Sequence, residues 1–335
     1  MVDRLRQGCA IPAHPLALDA ARQLDPRRQK ALSRYYLAAG AGGLAVGVHT
    51  TQFAIRDVGL YEPVLRIAAE AAAETAGPAP ILVAGAIGRT EQALREAGIA
   101  RGLGYHAVLL GLAAWKGASE DEMVAHCAAV AAEMPVFGFY LQPAVGGVTL
   151  RQSFWRKFAA IPNVVAIKIA PFNRYATLDV LRGVLEAGAV ERIALYTGND
   201  DHIVADLLTP FAIGDGAPLR ITGGLLGHWS VWTRAAVDLQ ARLCGADATP
   251  DLLALDAQVT EMNAAVFDVA HDFHGVIAGC HEILRRQGLL EGIWCLDPRE
   301  GLSPGQAALL TAVATRYPHL TDDEFVRANL NTWLS

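Results

Sequence analysis

Lys168 stands inside Asn163-Val-Val-Ala-Ile-Lys168-Ile-Ala-Pro171, an apolar run that otherwise predicts a fully buried strand. A lysine is almost never wholly buried unless it is paired or put to use. With the two-residue period of a strand, Val164, Ala166, Lys168 and Ala170 share one face, and Val165, Ile167 and Ile169 the other. Small residues therefore flank the lysine and leave room for a long side chain and a ligand. Desolvation disfavours the ammonium, so its pKa is expected to fall from about 10.4 toward the range where neutral amine is present. A neutral amine can form a Schiff base with a carbonyl substrate. The competing reading is a lysine at a strand end whose head snorkels to water.

Tyr140 is the second candidate, in Pro135-Val-Phe-Gly-Phe-Tyr140-Leu-Gln-Pro143. Val136, Gly138 and Tyr140 alternate onto one face and Phe137, Phe139 and Leu141 onto the other. Gly138 reads as keeping a cavity open beneath the phenol, as the small residues do beneath the amine. If the two strands are neighbours, the phenol can relay protons during imine formation. A strand-end tyrosine with its hydroxyl in water is the alternative.

These residues need a frame to converge on. Candidate strands are Ile11–Leu18, Gly43–His49, Pro80–Gly85, His106–Leu110, Pro135–Leu141, Asn163–Ala170, Arg192–Thr197 and Leu219–Thr222. Helical patterns alternate with them: 26–39, 61–75, 90–102, 120–133, 150–160, 175–187 and 200–209. Eight strands alternating with helices predict a closed parallel (β/α)8 TIM barrel, whose reactive side chains gather at the C-terminal strand ends. An open doubly wound sheet is the runner-up, but Pro12-Ala-His-Pro15 stands where that fold needs a glycine-rich phosphate loop. From 227 onward the pattern is helical only, with capping boxes expected at Ser303-Pro-Gly-Gln306 and Thr321-Asp-Asp-Glu324. The expected division is a barrel over 1–226 and a C-terminal helical extension over 227–335, docked on it.

Composition narrows the function. Of 335 residues 53% are hydrophobic and 19% charged, so a large core is within reach. A net charge of −6 gives no footprint for nucleic acid or an anionic membrane. No apolar run is long enough to span a bilayer, and Met1-Val-Asp-Arg-Leu-Arg-Gln lacks a signal-peptide core. Five scattered cysteines without CxxC spacing predict reduced thiols in a cytoplasmic protein, with no zinc site. His271 and His274, near Asp268 and Asp272, have helical spacing for two metal ligands, but the set is incomplete and lies away from the expected barrel mouth. No metal or cofactor is predicted. Trp229 and Trp232 are read as buried in the monomer or as part of a subunit interface.

Taken together, the chain resembles the dihydrodipicolinate synthase / N-acetylneuraminate lyase family of class I aldolases. Tyr140-Leu-Gln-Pro143 is similar to its Tyr-x-x-Pro segment, and Ile167-Lys168 to its Schiff-base signature, with Lys168 following Tyr140 by 28 residues as in the family. Leu195-Tyr-Thr-Gly198-Asn-Asp-Asp201 resembles the turn after the seventh strand, and His281–Leu290 a helix of the family's extension. The resemblance implies that Lys168 forms an imine with pyruvate or another 2-oxo acid, that Tyr140 relays protons, and that an aldehyde is the other partner. It also implies a homo-oligomer, dimer or tetramer.

The departures are as specific. The family's Gly-Thr-Thr-Gly-Glu loop is here Gly47-Val48-His49-Thr50-Thr51. Val48 offers no hydrogen bond, whereas His49 can act as an acid or base near neutral pH. His49 therefore joins Lys168 and Tyr140 as a catalytic candidate. Gly47, Val48, Thr50 and Thr51, with Gly198, Ile221 and Thr222, are the expected substrate contacts. After Tyr140, Pro143-Ala-Val-Gly-Gly-Val148 carries no arginine to grip a second carboxylate, and the segment after the fourth strand is Leu110-Gly-Leu-Ala-Ala-Trp115. The lysine-biosynthesis reaction is thus not expected. A sugar-acid dehydratase working through the same imine, or a barrel retained for binding or regulation, are the alternatives to a lyase of carbon–carbon bonds.

Overall fold

The computed structural model describes residues 1–335. Eight parallel strands form one sheet: β1 (Ala10–Pro12), β2 (Gly43–Val46), β3 (Ile81–Ala86), β4 (Ala107–Leu110), β5 (Val136–Leu141), β6 (Val164–Ala170), β7 (Ala194–Thr197) and β8 (Gly223–Leu226). Their order is β1-β8-β7-β6-β5-β4-β3-β2. The two ends meet through a parallel bridge between Ala13 and Ala45, where the His14 N–H donates to Ala45 O at 2.8 Å. The barrel is therefore closed, as expected of eight βα units.

Helices separate the strands because each sequence segment supplies an apolar stripe, and three of them also carry a side-chain start signal. Asp25 caps the helix Pro26–Ala38, whose proline occupies the first turn. Ser119 and Glu122 form a reciprocal capping box on Glu120–Glu133. The Asn173 side chain accepts from the Tyr175 and Ala176 N–H groups and starts Arg174–Glu186 directly after β6. After β8 come Thr233–Leu243, Pro250–Val266, Val276–Arg286, Gln306–Arg316 and Asp323–Trp333. They share one hydrophobic cluster of 82 buried residues with the outer faces of the strands. A second cluster of 17 fills the barrel interior and includes Leu5 from the N-terminal helix Val2–Gln7. No helix is long and apolar enough to cross a membrane.

Three expectations need correction. The eighth strand is Gly223–Leu226, not Leu219–Thr222; Leu219 instead bridges Phe211 in antiparallel fashion. Glycine is depleted in strands, yet both glycines of this strand are required by close packing. A Cβ on Gly223 would lie 2.6 Å from the Tyr196 ring, and one on Gly224 would lie 2.6 Å from the Trp229 ring. The first strand is shorter than Ile11–Leu18, because the Gln29 side chain takes over the backbone partners there: it accepts from Ala17 N at 2.8 Å and donates to Pro15 O at 3.1 Å. Neither expected capping box is complete: Gln306 Oε1 accepts from the Ser303 N–H at 3.2 Å, but the Ser303 hydroxyl does not cap the helix, and the Thr321 hydroxyl donates to Pro318 O at 2.9 Å. Ser303 hydrogen-bonds the Asp268 carboxylate, and Asp322 accepts from Tyr35 Oη at 2.7 Å and Arg234 N at 2.9 Å. A long-range tie to Asp268 thus takes the Ser303 hydroxyl from its local cap. Trp229 and Trp232 are buried within the chain.

Candidate active site

The register between β5 and β6 decides what surrounds the lysine. Phe137 pairs with Ala166, Phe139 with Lys168, Tyr140 with Ile169 and Leu141 with Ala170, after an irregularity at Val136/Phe137. Phe137, Phe139, Ala166 and Ala170 belong to the interior cluster, whereas Tyr140, Ile167 and Ile169 belong to the outer one. Lys168 therefore points inward, as its alternation predicted, and is only 8% exposed. Its Nζ lies 4.6 Å from the Phe139 ring centroid and has no carboxylate within 4.0 Å. Gly198 makes room for its stem: a Cβ there would stand 2.5 Å from Lys168 Cε and 2.9 Å from Cγ.

Tyr140 does not join this group. Its hydroxyl accepts from the Leu150 N–H at 3.2 Å, and its ring packs against Trp155 with centroids 5.3 Å apart. The two faces of β5 were partitioned as read, but the face carrying Tyr140 turns toward the helices. Gly138 opens no cavity for the phenol; the Phe158 ring sits 2.6 Å from where its Cβ would be. The glycine is a socket for the helix Gln152–Ala159, and the aromatic residues of the other face, Phe137 and Phe139, fill the barrel.

A cavity opens at the C-terminal strand ends with Lys168 in its wall, and with Val48, His49, Thr50, Gln142, Gly198 and Asp200 beside it. Burial lowers the Lys168 pKa below its ordinary 10.5, and the negative charge of Asp200 pulls the other way. Burial likewise raises Asp200, opposed by the Lys168 charge and by the His228 N–H, which donates to Oδ1 at 2.8 Å. The pair can thus hold one proton in two places, as neutral amine with carboxylic acid or as ammonium with carboxylate. Burial and the nearby lysine charge push His49 down to about 4, so its imidazole is neutral at physiological pH.

The loop after β2 is held by Thr51. Its hydroxyl donates to His14 O at 2.6 Å and accepts from the Gly47 and Val48 N–H groups at 3.0 and 3.2 Å. Gly47 has φ +74, and a Cβ there would approach Tyr61 to 2.9 Å. Thr50 Oγ1 donates to His14 O at 3.3 Å. With those amides satisfied, the backbone N–H groups of His49 and Thr50, at the start of a short 3-10 turn, have no acceptor, and both residues line the cavity. Gly47 and Thr51 are therefore scaffold, while Val48, His49 and Thr50 line the site.

Ile221 and Thr222 lie elsewhere. Both precede β8, and the Thr222 N–H and hydroxyl both donate to Leu195 O at the N-terminal side of the sheet. The residue that reaches the cavity from this strand is Gly227, one past its end. The mistaken eighth strand put these two residues at the wrong end of the barrel.

Sequence reasoning also missed groups that the structure assembles. Phe172, Phe267, Phe273 and Val276 line the cavity, so the extension closes over the barrel mouth. Phe172 and Phe273 stack with centroids 6.0 Å apart, and both adopt positive φ, +47 and +68. Asp268 holds that segment by accepting from His271 Nδ1 at 2.7 Å, from Gly275 N at 3.0 Å and from Ser303. His271 is thus engaged with Asp268. Buried Asp206 accepts from Thr197 Oγ1 at 2.6 Å, Asn199 Nδ2 at 2.9 Å and Arg174, while Asn199 Oδ1 accepts from Phe172 N at 3.0 Å. This network ties the β7 turn bearing Asp200 to the loop after β6. The signals in sequence were the polar cluster Thr197-Gly-Asn-Asp-Asp201 and the phenylalanines of the extension.

The model of the Dihydrodipicolinate synthetase family matches residues 9–214, a span that includes β1 through β7. N-acetylneuraminate lyase of Citrobacter koseri is 27% identical over 215 residues, covering 64% of this chain and 69% of that protein. Among solved structures, the chloride-inhibited dihydrodipicolinate synthase of Acinetobacter baumannii complexed with pyruvate superposes with a TM-score of 0.75 at 18% identity, over 92% of this chain and 98% of that one. The Clostridium difficile protein CdNal in complex with mannosamine gives 0.74 at 13% identity, over 92% and 99%. These structures share the closed barrel and the helices that follow it. The chain belongs to the dihydrodipicolinate synthetase family, whose members are class I aldolase-type lyases.

Proposed function

We propose that this protein is a Schiff-base lyase acting on a 2-oxo acid of pyruvate type, with Lys168 as the imine-forming amine. The observation that carries the proposal is a buried, unpaired amine of lowered pKa facing a cavity together with a buried acid of raised pKa. In this reading neutral Lys168 attacks the ketone carbon. Asp200, which lies more than 4.0 Å from the amine, takes up through a bridging water the proton that the amine must lose and returns one as water departs from the carbinolamine. The resulting protonated imine draws electrons from the adjacent carbon, which allows a carbon–carbon bond there to break or form. The His49 and Thr50 N–H groups hold the substrate carboxylate, as paired amide donors hold anions elsewhere. The neutral His49 imidazole stands beside the reacting carbons.

Tyr140 has no part in this scheme, which distinguishes it from the phenol relay expected of the family. The withdrawn phenol also supports a second reading, in which the imine forms but turnover is weak and the barrel serves to bind its ligand. Exchange of pyruvate methyl protons with D2O, followed by NMR, tests both. The leading reading expects exchange catalysed by the wild type and abolished in Lys168→Met. Reversible imine trapping without exchange would favour the binding protein, and no interaction with any 2-oxo acid would remove the proposal.

A further inference from the structure

A second cavity adjoins the lysine site on its β5 side. Phe139 and Leu141 form a wall of both. The lysine cavity has a volume of about 60 Å³, and its neighbour, measured in the same way, about 240 Å³. Phe53, Ile87, Leu112, Val148 and Leu150 supply most of the remaining wall, and no ionisable side chain contributes. Gly88, Gly111 and Gly147 also line it. Arg56 and Arg89, which follow the lining residues Phe53 and Gly88 in sequence, are engaged elsewhere, and Arg151, which follows Leu150, is exposed and not among the lining residues. Arg56 pairs with Glu96 at 2.8 Å and donates to the Gly47 and Gly85 carbonyls, and the Arg89 guanidinium lies 4.5 Å from the Trp115 ring centroid. A carboxylate or phosphate entering this cavity would lose its hydration with no cation in the wall to replace it. A polyol would find no polar side chain in the wall to pair its hydroxyls.

We propose that this cavity receives the side chain of the carbonyl partner, and that the partner is an uncharged apolar aldehyde carrying an aromatic ring. The proposal rests on the imine reading of Lys168 and names the second substrate of that same site. In the bond-forming direction, the enamine carbon of the Lys168–pyruvate adduct attacks the aldehyde carbon. The carbonyl electron pair moves to oxygen, which takes up a proton, and the imine is regenerated. Water then hydrolyses the imine, releasing a 4-hydroxy-2-oxo acid and the free amine. No oxidant or reductant is required.

The test uses the full chain with pyruvate and two aldehydes, benzaldehyde and succinate semialdehyde, with products followed by chromatography and mass spectrometry. Borohydride trapping with pyruvate alone is run in parallel and reports the imine independently of the aldehyde. The expected kcat/KM for benzaldehyde exceeds that for succinate semialdehyde by about tenfold or more, the scale of discrimination that apolar pockets provide. Val148→Arg places a cation in the cavity and is expected to reverse the preference while the pyruvate adduct persists. Ala113→Phe, at an exposed position of the cavity wall, is expected to lower benzaldehyde turnover with the adduct again intact, should the arginine variant fail to fold. Equal turnover of the two aldehydes, a preference for the charged one, or cavity-filling without effect would overturn the substrate class while leaving the imine reading in place. Absence of the pyruvate adduct in the wild type would instead overturn the imine reading, and this proposal with it.

Discussion

The Lys168 Nζ lies 4.6 Å from the Phe139 ring centroid, and the two residues are register partners across β5 and β6. A ring face stabilises an ammonium by about 0.5–2 kcal/mol, and one pKa unit corresponds to about 1.4 kcal/mol. Phe139 therefore supports the charged form, against the effect of burial. Phe139→Leu should lower the lysine pKa further, by about half a unit to one unit. The pH at which imine formation with pyruvate reaches half its maximum should move down accordingly. An upward shift would contradict this.

Asp200 acts on the same amine with the same sign. Its negative charge raises the Lys168 pKa, so Asp200→Asn should move the pH profile of imine formation to lower pH. The proposed proton carrier is lost at the same time, and turnover should fall by about 10²- to 10⁴-fold, the usual range for a general acid–base group. Steady-state kinetics across pH would show both effects. Undiminished turnover would remove Asp200 from the mechanism.

Tyr140→Phe separates a structural phenol from a catalytic one. Removing the hydroxyl leaves the buried Leu150 N–H without its acceptor, so unfolding free energy should fall by about 1–3 kcal/mol. Pyruvate exchange in the folded variant should stay within about tenfold of wild type, because a proton relay would cost more than that. Denaturant titration and exchange kinetics on the same sample check the two halves. A loss of about a thousandfold would place the phenol in the chemistry after all.

Gly198→Ala probes how the lysine is aimed. The added methyl would stand 2.5 Å from Lys168 Cε, so the stem must shift. Small displacements of a reacting group cost about 10²-fold in rate, and overpacking costs about 1–3 kcal/mol in stability. The rate of imine formation should fall accordingly in a variant whose circular dichroism is unchanged. A wild-type rate would show that the glycine is not needed there.

Much of this arrangement was legible in the residues. The helices Thr90–Gly102 and Glu120–Glu133 were read to their ends. Lys168 was read as inward-facing from the small residues that alternate with it. The same alternation on β5 separated Tyr140 from Phe139 correctly but could not say which face was inside, because period two carries no sign. Gly138 then misled: a glycine leaves space on one side, and here Phe158 fills it from the helical layer. Gly223 and Gly224 were poor strand formers by propensity, but the Tyr196 and Trp229 rings demand them, and misplacing β8 sent Thr222 to the wrong end. The aromatic cover from the extension depends on contacts distant in sequence, such as Phe172 with Phe273, which no local pattern encodes.

The most direct measurement is borohydride reduction in the presence of pyruvate, followed by peptide mapping of the wild type and Lys168→Arg. The account predicts one reduced pyruvate unit on the wild-type peptide containing Lys168 and no adduct in the variant. A wild type that stays unlabelled, or a label on a different lysine, would contradict it.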